Sequence, residues 1–342
     1  MNKKVLVIGP DFWGYSESVA RAFESTGCNT EVINYWEDYP INFINRIKCG
    51  GMSKIGINYF IKKYNNEINT KILNVYKKIK PDIVFIIKGH KIFKDTLEKI
   101  KESKVVLWMM DSIYKVEQTY KNIDLFDYRF MFEKNDVEKL AQSKISSYFL
   151  PLALDETVYY PINNIKKTID ILFVGALYPE RLELLKSIII KFPDLNICIY
   201  GKYLEWRHTE RYINYYLKNY RAYFENKNVH PSIVNELYAR TKIAINIHNP
   251  QSQYGCNQRF FEILGSKSFQ IVDENKFIKN KFVDGKHIVF FNNEKDLCNK
   301  IKYYLNNRVE RNRIANYGYQ EVIKNHTFKY RINEVLNIIY SM

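Results

Sequence analysis

Two stretches of the chain gather residue types that bind phosphates. In the first, Phe173-Val174-Gly175-Ala176-Leu177-Tyr178-Pro179-Glu180-Arg181, an apolar run ends in glycine and a helix opens on proline with arginine in its first turn. A helix N-terminus offers free backbone amides and the positive end of the helix dipole, which suits a diphosphate. Arg181 can add charge-assisted hydrogen bonds; the plainer alternative is that Glu180 and Arg181 are surface residues. The second stretch is Asn246-Ile247-His248-Asn249-Pro250, followed by Tyr254-Gly255-Cys256-Asn257-Gln258-Arg259-Phe260-Phe261-Glu262-Ile263-Leu264-Gly265. Here a strand runs into a glycine-containing loop and then a helix for which Asn257 is a fitting cap. Arg259 and Glu262 lie three apart and share one helical face. A cation for phosphates beside a carboxylate for ribose hydroxyls is what a nucleotide-sugar ligand requires; an ion pair on a helix surface is the alternative.

Missing motifs narrow the chemistry. The first loop, Gly9-Pro10-Asp11-Phe12-Trp13-Gly14, lacks G-x-G-x-x-G spacing, and nothing matches the phosphate loop G-x-x-x-x-G-K-[ST], which argues against a nicotinamide dehydrogenase and a P-loop kinase. Without Asp-x-Asp or His-Glu-x-x-His there is no motif for a built-in metal, so cations and helix termini are expected to neutralise any diphosphate. The five cysteines are scattered, with no pair at zinc-ligand spacing, which reads as a reducing compartment. The apolar run after Met1-Asn2-Lys3-Lys4 is too short for a signal peptide, and Val105 to Met110 is far shorter than the ~20 residues of a membrane span. A cytoplasmic protein is expected.

The elements that must position these residues follow an α/β alternation. At 342 residues the chain suits two domains of roughly 150 to 190 residues. Strands are expected at Lys4–Ile8, Thr30–Asn34, Asp82–Ile87, Val105–Met110, Tyr128–Phe132 and Ser147–Leu150, with a helix at Ser16–Glu24. A connector around Pro151–Thr168 leads into strands at Asp170–Val174, Asn196–Tyr200, Ile243–Ile247 and Phe269–Val272, alternating with helices at Glu180–Lys191, Pro231–Arg240 and Gln258–Leu264. Loops after such strands are where open α/β sheets bind ligands. The expected domains are 1–155 and 156–325, with 326–342 a helix returning to the first.

The runs Phe173–Arg181 and Ile245–Asp273, with Asp284-Gly285-Lys286-His287-Ile288-Val289-Phe290-Phe291, Arg311, Gly318-Tyr319 and His326-Thr327-Phe328, resemble the CgeB-type glycosyltransferases, relatives of the group 1 enzymes. The resemblance covers nearly the whole chain and is strongest from about residue 170. It implies a GT-B fold, two Rossmann-like domains facing across a cleft, with an N-terminal acceptor domain and a C-terminal donor domain. It implies sugar transfer from a nucleotide-diphosphate donor to a hydroxyl acceptor, and the missing metal motifs leave no metal or other cofactor expected. Donor contacts are expected from Gly175, Arg181, His248, Tyr254, Gly255, Asn257, Arg259 and Glu262. Glu262 fits the later of two family glutamates eight positions apart, and Tyr254 replaces the earlier one. In the first domain Asp111, ending a buried strand, is the expected base, unless it caps the segment after Ser112. His90 is a second catalytic candidate, and Gly9 and Gly14 would form a turn near the transferred sugar.

Charge placement bears on the acceptor. The net charge is +15, and Arg46, Lys48, Lys54, Lys62, Lys63, Lys71, Lys77, Lys78 and Lys80 face a single acid, Glu67, across residues 46–80. Such a run is a solvated helical face, or else a surface for an anionic membrane or a phosphate-bearing acceptor. The acceptor is then a glycan, a lipid-linked glycan or a protein, with peripheral contact at the inner face of the membrane. Two other functions fit parts of the pattern: a nucleotide-sugar epimerase of the same fold, and a nucleic-acid-binding protein. No nucleic-acid-binding signature accompanies the basic residues, which argues against the second.

Overall fold

The fold is that of a computed structural model, which describes residues 3–11, 14–36, 48–49, 56–205, 208–249 and 254–341. Contacts divide the chain into one unit of Met1–Pro151 with Phe328–Met342, and a second of Leu152–Thr327.

In the first unit the order is β1 (Lys4–Pro10), α1 (Tyr15–Glu24), β2 (Asn29–Tyr35), α2 (Tyr59–Ile79), β3 (Ile83–Ile87), α3 (Lys94–Lys99), β4 (Lys104–Trp108), α4 (Glu117–Lys121), β5 (Tyr128–Met131), α5 (Lys134–Gln142) and β6 (Tyr148–Phe149). The strands form one parallel sheet, β2-β1-β3-β4-β5-β6. Val5–Ile8, Ile83–Ile87 and Val105–Trp108 are buried throughout, as strands covered on both faces must be. Gly9 is required by close packing: a Cβ there would lie 2.5 Å from Ser16 Oγ in α1. Gly14, at the start of α1, takes the left-handed φ of 78°, which glycine adopts without strain.

The long helix α2 carries most of the basic run. Ile68, Ile72 and Tyr76, at i, i+4 and i+8, turn inward, whereas Lys62, Lys63, Lys71, Lys77 and Lys78 are exposed; Arg46 and Lys54 lie outside the described residues. The last helix of the chain, α13 (Phe328–Tyr340), packs in this unit. The Phe328 ring meets Trp108 edge-on at 5.8 Å, and Lys104 Nζ donates to Ile339 O at 2.9 Å.

The second unit runs β7 (Ile169–Val174), α6 (Pro179–Lys191), β8 (Ile197–Tyr200), α7 (Thr209–Leu217), α8 (Pro231–Ala239), β9 (Thr241–Asn246), α9 (Gln258–Gly265), β10 (Gln270–Asp273), α10 (Lys276–Lys281), β11 (Val289–Phe291), α11 (Glu294–Asn306) and α12 (Arg308–Asn325). Its parallel sheet has the order β11-β10-β9-β7-β8. The C-terminal ends of β7, β9 and β10 are therefore neighbours, and all three carry candidate ligand groups. The stretch from Leu152 to Tyr160, expected as part of a connector, instead joins this core. Leu152, Ala153, Leu154 and Tyr159 are buried, and Gln258 Nε2 donates to Ala153 O at 2.6 Å. Each unit is thus Rossmann-like, α/β with a parallel sheet.

Candidate functional site

The phosphate-binding candidates sit where β7 passes into α6. Gly175 N donates to Tyr200 O at 2.9 Å, fixing the turn. The facing Gly201 has no room for a side chain, since a Cβ would meet Gly175 O at 2.3 Å. Pro179 opens α6, and the N-cap residue Tyr178 makes no side-chain capping bond, which leaves the first-turn amides without a cap acceptor among the described residues. Arg181 is buried, which overturns the surface alternative for it. Its Nη1 donates to Ala176 O at 3.0 Å, its guanidinium lies 5.1 Å from the Tyr178 ring centre, and its Nε is buried without a partner among the described residues. Burial lowers its pKa, with Tyr178 and then Asp273 opposing; a guanidinium stays charged under any such shift.

Beyond β9, His248 is buried and fastened to the end of β10. Its backbone N–H donates to both Asp273 oxygens at 2.9 and 3.0 Å, and its Nδ1 is 2.8 Å from Asp273 Oδ1. A carboxylate accepts only, so Nδ1 carries the proton, and Nε2 is an acceptor in the neutral ring and a donor in the imidazolium. Among the described residues that Nε2 is buried without a partner, as is Nδ2 of Asn246 two residues earlier.

Asn257 caps α9 as expected: its Oδ1 accepts from Phe260 N at 3.0 Å, while its Nδ2 donates to Asn246 Oδ1 at 2.9 Å. The cap therefore ties the start of α9 to the end of β9. Tyr254 lies under Lys276 Nζ, 4.7 Å from the ring centre, and Gly255 O accepts from Asn275 Nδ2 at 3.1 Å.

Arg259 and Glu262 do share a helical face, with Nη1 2.5 Å from Oε2, but the surface alternative fails because the Glu262 side chain is only 2% exposed. Burial raises the Glu262 pKa, opposed by the Arg259 charge and by hydrogen bonds from Arg259 and Tyr159. Arg259 also hydrogen-bonds Tyr238, whose pKa burial pushes above the ordinary phenol range. No sequence spacing points to Tyr159, Tyr238 or Asp273. Asp273 carried one usable signal, a carboxylate ending an apolar run.

In the first unit, Asp111 is exposed just after β4, with Lys88 Nζ 3.5 Å from its Oδ2. It does not cap the turn that follows. Asp136 of α5 does so, accepting from Ile113 N at 2.9 Å and Ser112 Oγ at 3.1 Å. Lys88 and Gly89 both have positive φ after β3, and the His90 ring packs 5.4 Å from Tyr35. Gly9 and Gly14 belong to the same unit, whereas the Arg181, His248 and Glu262 groups belong to the other. No set of three or more His, Cys, Asp or Glu side chains among the described residues is placed to hold a metal ion. Nor is any described helix long and apolar enough to cross a membrane.

Residues 181–337, the span holding Arg181, His248, Arg259 and Glu262, match the model of a family described as glycosyl transferase-like. The spore protein CgeB of Bacillus subtilis is 22% identical over 270 residues, covering 72% of this chain and 80% of CgeB. Among solved structures, sucrose-phosphate synthase of Thermosynechococcus elongatus superposes with a TM-score of 0.66 at 10% identity over 99% of this chain and all of that one. Anabaena HepE in complex with UDP and glucose gives 0.63 at 9% identity over the whole of both chains. The fold is that of the GT-B glycosyltransferases, and the matched segment, a little under half of the chain, is glycosyl transferase-like. Within that class it is similar to the CgeB type and the group 1 enzymes.

Proposed function

We propose that the protein moves a sugar from a nucleotide-diphosphate donor, bound by its second unit, to a hydroxyl of a glycan, a lipid-linked glycan or a protein, without a divalent metal. One observation carries the donor assignment. Three buried side-chain nitrogens lack partners among the described residues: Asn246 Nδ2 and His248 Nε2 at the C-terminal end of β9, and Arg181 Nε in the first turn of α6, the helix that follows the adjacent strand β7. A buried polar atom left unpaired costs about 1 to 3 kcal/mol, and an oxygen-rich ligand removes that cost. The open first turn of α6 adds backbone donors for a diphosphate, and HepE, similar in fold, was solved with UDP and glucose.

The acceptor oxygen forms a bond to the anomeric carbon as the bond from that carbon to the diphosphate oxygen breaks, and the nucleoside diphosphate leaves with the bonding pair. Arg181 and the amides of α6 stabilise the charge that develops on the leaving group. The acceptor hydroxyl proton goes to a base, for which Asp111 is the exposed carboxylate at a strand end. Titration with UDP, GDP, TDP and CMP, followed by turnover of the matching nucleotide sugars in EDTA, tests the proposal. Saturable nucleoside-diphosphate binding and undiminished turnover in EDTA are expected. Loss of turnover restored by Mn²⁺ or Mg²⁺ would overturn metal independence, and no binding by any nucleotide would overturn the donor assignment.

A further inference from the structure

The opposite end of the second unit's strands carries a concentration of charge that the transfer reaction does not use. Lys167 stands two residues before β7, Lys242 is the second residue of β9, and Lys267 lies just ahead of β10. Because β10, β9 and β7 are consecutive and parallel, their N-terminal ends bring the three lysines together. Arg311, from the first turns of α12, completes the set. The four line one cavity of about 310 Å³, together with the side chains of Asn312 and Asn316.

Most of that charge is uncompensated. One carboxylate faces the four cations: Asp170 pairs with Lys242 at 2.6 Å and its charge also reaches Arg311, whereas Lys167 and Lys267 have no ion-pair partner among the described residues. The buried Arg311 spends Nη1 on Tyr304 O and Leu305 O, the carbonyls at the end of α11. Although Lys167 has an accessible side chain, burial around its ammonium and the Arg311 charge pull its pKa down to about 8. Gathering like charges at a concave surface is unfavourable unless an anion shares them.

We infer that this cavity binds a small phosphate-class oxyanion, either free phosphate or the phosphoryl group of a small metabolite, at a site separate from the donor site. Four cations give charge-assisted bonds to phosphate oxygens, and the two asparagine amides add neutral donors. A volume of 310 Å³ holds a phosphoryl or pyrophosphoryl group with several waters, at ~30 Å³ for each water. A nucleic-acid backbone is disfavoured, because a pocket of this size has no extended groove to follow. The six residues of β7, at ~3.3 Å each, separate this cavity from the Gly175 turn by too great a span for one phosphate to contact both.

The test is calorimetry on the full chain with orthophosphate, pyrophosphate and a hexose 6-phosphate at fixed ionic strength. The variants are Lys167→Ala/Lys267→Ala, Lys167→Arg/Lys267→Arg, and His248→Ala as the donor-site control. The alanine pair should weaken binding of at least one probe by ~10-fold or more, keep wild-type melting, and leave nucleoside-diphosphate affinity unchanged. The arginine pair should retain binding, and His248→Ala should leave the phosphate arm intact. Preference for orthophosphate or for the hexose phosphate identifies the source. Wild-type phosphate binding in the alanine pair would overturn the inference, as would equal displacement by chloride, or short RNA binding that outcompetes all three probes.

Discussion

Arg259→Ala separates a buried ion pair from an exposed one. Its Nη1 lies 2.5 Å from Glu262 Oε2, and the two side chains are 23% and 2% exposed. Removing the arginine strands a carboxylate with almost no access to water, a change that costs about 3 to 5 kcal/mol in buried pairs. Partial exposure of Arg259 favours the lower end, and about 3 kcal/mol corresponds to ~6 to 12 °C of melting temperature for a unit of this size. Glu262→Gln should cost less, because Arg259 can turn to solvent. The double variant carries no buried charge and should be more stable than the two single losses added together, by about 1 kcal/mol or more. The pH dependence has a definite sign. Burial already raises the Glu262 pKa, and Arg259 opposes that rise, so without the arginine the folded-state pKa climbs further. The penalty in Arg259→Ala is then absent below the unfolded glutamate pKa of ~4.3 and grows as pH rises through the folded value. Calorimetric scans of the four proteins at pH 4 and pH 7.5 measure both effects. Wild-type melting of Arg259→Ala at pH 7.5, or strict additivity in the cycle, would refute the buried-pair account.

Three other outcomes follow from the same geometry. His248→Ala should weaken nucleoside-diphosphate binding by ~10-fold or more in the folded protein, with some loss of melting temperature because the buried bond to Asp273 goes too, and equal affinity in the two proteins would remove His248 from the site. Gly201→Ala should destabilise the second unit by about 1 to 3 kcal/mol, since its Cβ would lie 2.3 Å from the Gly175 carbonyl; an unchanged denaturation midpoint would contradict that contact. The exposed lysines of α2 are proposed to hold the protein peripherally on anionic lipid at ~1 kcal/mol each near the surface. Co-sedimentation with anionic vesicles should therefore fall when Lys62, Lys63, Lys77 and Lys78 become Glu. Equal binding by both proteins, or none at low salt, would leave that helix face without this role.

The strands were legible in the sequence because burial on both faces demands unbroken apolar runs, and Ile83–Ile87 and Lys104–Trp108 fall within two residues of their expected ends. Long-range polar partnerships were not legible. Tyr159 reaches Glu262 from about a hundred positions away, and nothing in its local pattern distinguishes it from the chain's other tyrosines. Charge misled at two positions: Arg181 and Glu262, which composition alone would put at the surface, are buried. The lysines of α2 remain exposed, as lysines in a charged run usually do.

The pairing of His248 with Asp273 shows what sheet order adds to sequence. The two residues are twenty-five positions apart and end consecutive apolar runs, so each could be marked as a loop residue beyond a strand. Whether they meet depends on β9 and β10 being neighbours, and a parallel sheet of five strands admits many orders. The observed order sets Val272 opposite Asn246, which brings Asp273 to the His248 backbone and ring. The same neighbour relation, read at the other end of these strands, brings Lys242 and Lys267 to one cavity. One topological fact therefore produces both the candidate donor site and the proposed oxyanion site. Variants at the two ends of the strands should accordingly act on ligand binding independently, because their side chains share no partner and lie a strand's length apart.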